Sequence, residues 1–201
     1  MSVINQAIGA QAFEVIRERV GEILADELDM QFQLTYDALM EATVYIERHV
    51  PFNQSELPAV NVQLARVPLD NHDQLNTDGS QIFFIDCITK ANAAANVDGD
   101  SYSARLMQRL MGVCRAILED SKYKTLGFSP PFIMNRRVMD MRFGDPQTKD
   151  SVSVAKGRII LQVRAAEING IVVPNVIDSY KTSIKLHESE AGYFYFGETY
   201  P

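Results

Sequence analysis

The chain has 201 residues, of which 46% are hydrophobic and 22% charged, with a formal net charge of -7 and a pI near 5.0. A body of this size buries a core without disulfide or metal staples. The acidic balance argues against a surface built for sequence-independent nucleic-acid binding or for anionic membranes, though it leaves room for one local basic face.

The N-terminal MSVINQAIGAQAFEVIRERV lacks the basic start and continuous apolar core of a signal peptide. No apolar run is long enough to span a bilayer, so synthesis and folding in a reducing cytosol are expected. From Val3 to about Leu28, Ile4, Ile8, Phe13, Ile16, Val20, Ile23, Leu24 and Leu28 recur at helical spacing between charged residues, which predicts one long amphipathic helix. Met30 to Met40 fits a second helix or a loop equally well. Thr43 to Val50 alternates as a strand does, and after the break PFNQSELP the alternation resumes from Ala59 to Val67. The two predict a strand pair joined by a proline-bounded loop. LDNHDQLNTDGS then reads as a polar connection ending in an Asp-Gly turn.

Gln81 to Thr89, QIFFIDCIT, carries the strongest strand signal, with Ile82, Phe84 and Ile88 on one side and Phe83, Ile85 and Cys87 on the other. Apolar residues on both sides place it centrally in a sheet covered on both faces, by its own helices or by a neighbouring subunit. After the small-residue connection KANAAANVDGDSYSA, Asp100 or Ser101 is expected to cap a helix reaching about Asp120, with Leu106, Leu110, Val113 and Ile117 in one stripe and Met107, Cys114 and Leu118 beside it. FSPPF ends it. Ile133 to Phe143 and Val152 to Glu167 predict two more strands linked by FGDPQTKDS, the second with Ile159, Leu161, Val163 and Ala165 turned to a core. Ile171 to Val173 is a short strand candidate, followed by Pro174, SYKTSIKL and the aromatic GYFYFGETYP. The sum is an α+β fold, a mostly antiparallel sheet flanked by helices. It forms a single domain over 1–201, with a helical region at 1–41, a core at 42–167 and a C-terminal extension at 168–201.

Chemistry is harder to find. Asp70, His72, Asp73 and Asp78 form the most enzyme-like group, but metal-dependent hydrolysis needs further ligands at compatible spacing, and His49 and His187 have no such neighbours in sequence. A solvated loop is the plainer reading. Asp98-Gly99-Asp100-Ser101 lacks the alternating ligands of a calcium loop and reads as a helix start. The phosphate cradle, nucleophile elbow, H-E-x-x-H and C-x-x-C motifs are all missing. Cys87 and Cys114 sit inside apolar elements and read as core hydrophobes. Neither catalytic nor cofactor or metal residues are therefore assigned. Arg136, Arg137, Arg142, Arg158 and Arg164 fall on two adjacent predicted strands of an acidic chain. They read either as a sheet face of cross-strand pairs, or as an electrostatic interface with a neighbouring subunit or a passing polyanion.

The order of these pieces resembles the tail terminator proteins of tailed phages. The likeness runs from about Ala42 to Glu167 through VYIERHVPFNQSELPAVNVQL, the DGS hairpin end, QIFFIDCIT, SARLMQRLMGVCRAIL and GRIILQVRAAE. It rests on order and spacing rather than on any single motif, and the long first helix and the extension after Glu167 exceed the family's minimal pattern. The resemblance implies a small α/β fold and a homo-hexameric ring at the head-proximal end of the tail. It also implies contacts to the tail tube below and to neck or connector proteins above, with a sheath protein as a further partner. DNA would meet such a ring only in passage through its channel. The apolar surplus of the central strand, the first helix and the tail suits a self-associating ring on physical grounds alone. Candidate ring contacts are the five arginines together with Tyr193, Phe194, Tyr195 and Phe196, the last four expected to form an assembly arm. The competing expectation is a small cytosolic enzyme or ligand-binding domain using the Asp70 to Asp78 loop.

Overall fold

The computed structural model describes residues 9–71, 77–92, 98–128, 132–149, 151–166, 179–185 and 193–199. The chain divides into two compact units, the larger spanning 10–168.

The first helix, α1, covers Ala12–Thr35. It starts later than hydrophobic periodicity predicts, because Gln11 and Glu14 form a capping box there, Glu14 Oε2 accepting from the Gln11 N–H at 2.7 Å. Ile4 and Ile8 lie outside the described residues. The ambiguous stretch after Leu28 continues the helix to Thr35, where Tyr36 takes a left-handed conformation (φ 53°) and stops it. A short 3-10 helix, Ala38–Glu41, follows, capped by Asp37 through the Leu39 N–H at 3.0 Å.

The sheet comprises β1 (Thr43–Ile46), β2 (Ala59–Arg66), β3 (Leu69–Asn71), β4 (Thr77–Asn92), β5 (Ile133–Phe143), β6 (Gln147–Lys149) and β7 (Val152–Ala166). Its main order is β1-β2-β4-β7-β5, with β3 paired to β4 and β6 paired to β7. All pairings are antiparallel except β1 with β2. The expected strand from Thr43 to Val50 is thus cut to four residues. Glu47 turns the chain with φ 52°, its N–H donating to Val62 O at 2.9 Å and its Oε1 accepting from the Leu64 N–H at 2.6 Å. The loop back to β2 is held by Arg48, which pairs bidentately with Glu56 at 2.8 and 2.9 Å and stacks over Tyr45 and Phe52 at 4.7 and 4.4 Å from the ring centres.

Within LDNHDQLNTDGS, expected as a polar connection, Leu69–Asn71 pairs antiparallel with residues 77–79, and residues 72–76 lie outside the described residues. The second helix, α2, runs Gly99–Glu119 with Asp98 at its N-cap position and no side-chain capping bond, and Asp100 and Ser101, expected as caps, lie inside its first turn. Asp100 there complements the helix dipole. The strands expected at Ile133 to Phe143 and Val152 to Glu167 are β5 and β7. FGDPQTKDS contributes β6 to the same sheet.

Both helices cover one face. Ile16, Val20, Leu24 and Leu28 of α1 and Met107, Leu110, Met111, Cys114 and Leu118 of α2 share a single buried cluster with Val60, Val62, Phe83, Ile85, Cys87, Ile159, Leu161, Val163 and Ala165. Packing is closest at Gly157, where an added methyl would overlap the sulfurs of Met107 and Met111. The Cys87 and Cys114 sulfurs stand 3.9 Å apart as buried free thiols. Their mutual hydrogen bond, with burial, pushes the Cys87 thiol well above its ordinary range. Among the buried polar groups on this side, Thr89 Oγ1 donates to Ser103 O at 2.9 Å and Ser103 Oγ lies 3.1 Å from Ser153 Oγ.

The smaller unit contains β8 (Ser179–Lys185) and β9 (Tyr193–Thr199), an antiparallel hairpin. The candidate strand at Ile171 to Val173 lies outside the described residues. Among the described residues, no helix is long and apolar enough to cross a membrane. The architecture is α+β, a mainly antiparallel sheet with its helices on one side.

Candidate interaction surface

Alternation along the strands sorts every residue to one face or the other. The face opposite the helices carries Asn61 and Gln63 from β2, and Ile82, Phe84, Asp86, Ile88 and Lys90 from β4. It adds Val154, Lys156, Arg158, Ile160, Gln162 and Arg164 from β7, and Asn135, Arg137, Asp140 and Arg142 from β5, by the pairing register. Ile82, Phe84 and Ile160 are only half-buried there. Within this chain the expected cover of the central strand is complete on the helical side and partial on the other, where Asp86 and Ile88 are buried. A small apolar cluster of Leu57, Ala59 and Ile88, flanked by Tyr45, Phe52 and Val154, shields one end of the open face.

The five arginines divide. Arg137, Arg142, Arg158 and Arg164 stand together on the open face. Arg136 does not join them. It points to the helical side and donates to the carbonyls of Asp120 and Tyr123, closing the C-terminal end of α2. Burial pushes its guanidinium pKa down, against the pull of Asp120 and Glu119.

Arg142 and Arg158 lie directly opposite each other, an unfavourable pairing of like charges that two carboxylates relieve. Asp140 Oδ2 accepts from Arg142 Nε at 2.8 Å, and that hydrogen bond holds the Asp140 carboxyl below its usual range. Asp86, 2% exposed, accepts from Arg158 Nε at 2.6 Å and Nη2 at 2.9 Å, and pairs with Lys156 Nζ at 2.8 Å. Burial pushes the Asp86 carboxyl up, but the hydrogen bonds from Arg158 and Lys156 outweigh it and the net shift is downward. Arg158 also lies over the Phe84 ring, 4.2 Å from its centre. Arg137 donates to Gln162 Oε1 at 2.9 Å.

Beside this cluster a groove of about 760 Å³ has Phe52, Leu57, Ile88 and Val154 in its walls and Arg142, Lys156 and Arg158 along its edge. Asp86, Lys156 and Lys90 belong to the surface but are not among the residues expected from sequence. Asp86 had a readable signal. A carboxylate in the middle of QIFFIDCIT must be paired if the strand is central.

The other candidates are placed as follows. Asp70 and Asp78 face each other across β3 and β4, while His72 and Asp73 lie outside the described residues. Tyr193, Phe194, Tyr195 and Phe196 lie in β9, opposite Lys185, Ile184, Ser183 and Thr182. His49 Nε2 is 3.5 Å from Oε2 of Glu47, two residues before it in the sequence. Among the described residues, no group of three or more His, Cys, Asp or Glu side chains is gathered as metal ligands would be.

Comparison of the sequence with protein-family models finds no match, and comparison with curated proteins finds none either.

Proposed function

We propose that this chain is a structural, non-enzymatic protein that assembles into a closed homo-oligomeric ring, in the manner of a phage tail terminator joining tail to neck. The observation that carries the reading is the open sheet face. It leaves Ile82, Phe84 and Ile160 half-covered beside four arginines, in a chain whose two described α-helices pack on the other side. A sheet face of this mixed character is unusual for a monomer to leave in water and suits a contact between subunits. The order of elements, from the apolar central strand through α2 to β7, supports the terminator likeness, with six copies, a tail tube and a neck protein as the proposed partners.

Negative-stain imaging of the concentrated full chain, with mass photometry across a dilution series, tests it. The expected outcome is a closed ring of six copies, in equilibrium with monomer on dilution. A particle that stays monomeric at all concentrations, or grows as an open helical stack, counts against it. A thermal shift specific to a divalent metal, lost on replacing His72 and Asp73 with Ala, would favour the ligand-binding alternative.

A further inference from the structure

The charges of the larger unit are unevenly distributed. By the pairing register the open face carries six cations, Lys90, Arg137, Arg142, Lys156, Arg158 and Arg164, against four carboxylate positions, Asp70, Asp78, Asp86 and Asp140. On α1 the reverse holds. Glu18, Glu22, Asp26 and Asp29 recur three or four residues apart and are all exposed, so they form one acidic stripe along the outer side of the helix. Within the stripe Arg17 reaches Glu18 at 2.8 Å and Arg19 reaches Glu22 at 2.9 Å, while Arg17 also lies 3.4 Å from Glu47 and Arg19 donates to Leu126 O at 2.9 Å. Asp29 has only the Gln33 amide, at 2.7 Å, and Asp26 has no partner among the described residues. Carboxylates repeated at this spacing weaken an isolated helix, so the stripe is not explained by helix stability.

We infer that the occupant of the open sheet face is the acidic α1 stripe of a second copy of this chain. The charges are complementary and so are the lengths. Glu18 to Asp29 spans about 16 Å at 1.5 Å per residue, and Arg137 to Arg142 spans about 16 Å at 3.3 Å per residue. Met30 and Leu34, exposed near the end of the stripe, bring apolar surface to meet Phe84, Ile82 and Ile160. The two surfaces lie on opposite sides of the helix-on-sheet body, so one copy cannot satisfy both with the same neighbour. Each copy offers its stripe to one neighbour and its face to another. That is a head-to-tail contact, which closes into a ring when the rotation between copies permits. The inference rests on the ring reading and adds which surfaces meet.

Two charge-reversed variants of the full chain test it, with folding verified by thermal melting. Asp26→Lys with Asp29→Lys puts cations on the stripe where it would meet the basic face, and Arg137→Glu with Arg142→Glu puts carboxylates on the face where the acidic stripe would dock. Each alone should need at least about tenfold more protein to assemble than the wild type, because like charges now face each other. An equimolar mixture should restore assembly, with the two variants alternating in native mass spectra and the assembly weakening in high salt. Wild-type assembly by either variant alone overturns the inference and leaves the ring reading standing. A mixture that stays monomeric while the wild type assembles also overturns it. A wild type that never assembles overturns both readings. Tight binding of duplex DNA by the wild type, abolished by Arg137→Glu with Arg142→Glu, would make the face a nucleic-acid surface and overturn the second-copy occupant.

Discussion

Ile160 and Leu161 are neighbours on β7, yet they live in different solvents. Leu161 is fully buried beneath the helices, packed with Phe83 and Ile159. Ile160 faces the open side, half-covered, between Phe84 on β4 and Asp140 on β5. On the helical side, fit is enforced by volume, and buried polar groups such as Ser103 and Ser153 pair with each other. On the open side, order comes from charge, through Asp86 holding two cations and Asp140 holding a third. The contrast teaches that one strand can carry a finished core on one face of its pleat and a charged, half-covered surface on the other.

The sharpest way to break this comparison is to truncate both neighbours. Leu161→Ala should lower unfolding stability by about 3–4 kcal/mol, the cost of a cavity in a closed core. Ile160→Ala should cost the monomer about 1 kcal/mol, because water already reaches the site. Denaturant titration measures both, and equal losses would mean the open face is as sealed as the other. Next in size is Gly157→Ala, where a single methyl meets the Met107 and Met111 sulfurs. About 2 kcal/mol of destabilisation is expected from overpacking, moderated by the flexibility of methionine. A neutral result would show that α2 is not pressed against β7.

The smallest effect sharpens the comparison from the charged side. Asp86→Asn should cost about 1 kcal/mol near neutral pH, less than the 3–5 typical of breaking a sealed pair, because Arg158 and Lys156 can turn to water. The folded Asp86 carboxyl is depressed, so its contribution is present above the unfolded value near 3.9 and is lost as pH falls through the folded one. The gap between wild type and variant should therefore close on acidification, and a gap that widens below pH ~4 would contradict the pairing.

Most of the architecture was legible because periodicity reports burial directly. Burial alternates along Val152–Ala166, and the start at Val152 and the inward Ile159, Leu161, Val163 and Ala165 follow from the sequence pattern, while Glu167 lies outside the described residues. The misplaced boundaries share a cause. The early start at Val3 ignored the Gln11–Glu14 capping box, and the overlong first strand missed that Glu47 takes a left-handed turn to satisfy the Leu64 N–H. Both depend on local hydrogen bonds that hydrophobic patterning does not register. The open face was half legible. Four arginines on adjacent strands were visible, but the direction of Arg136 depends on the two register shifts of β5, between Ile133 and Asn135 and between Val138 and Asp140, which sequence alternation alone does not predict.

Those shifts have a consequence for how the protein behaves in quantity. β5 borders the sheet with eleven residues and leaves Met134, Met139 and Phe143 about half exposed. A straight border of that length would invite backbone pairing between any two molecules, without regard to orientation and without a natural end. Each shift bends the strand and throws its free amide and carbonyl groups out of line. Arg137, Asp140 and Arg142 place charge on the same stretch. An incoming strand would find a match for only a few residues before the ladder failed. Such a border disfavours edge-to-edge strand pairing between copies of the chain in a crowded solution.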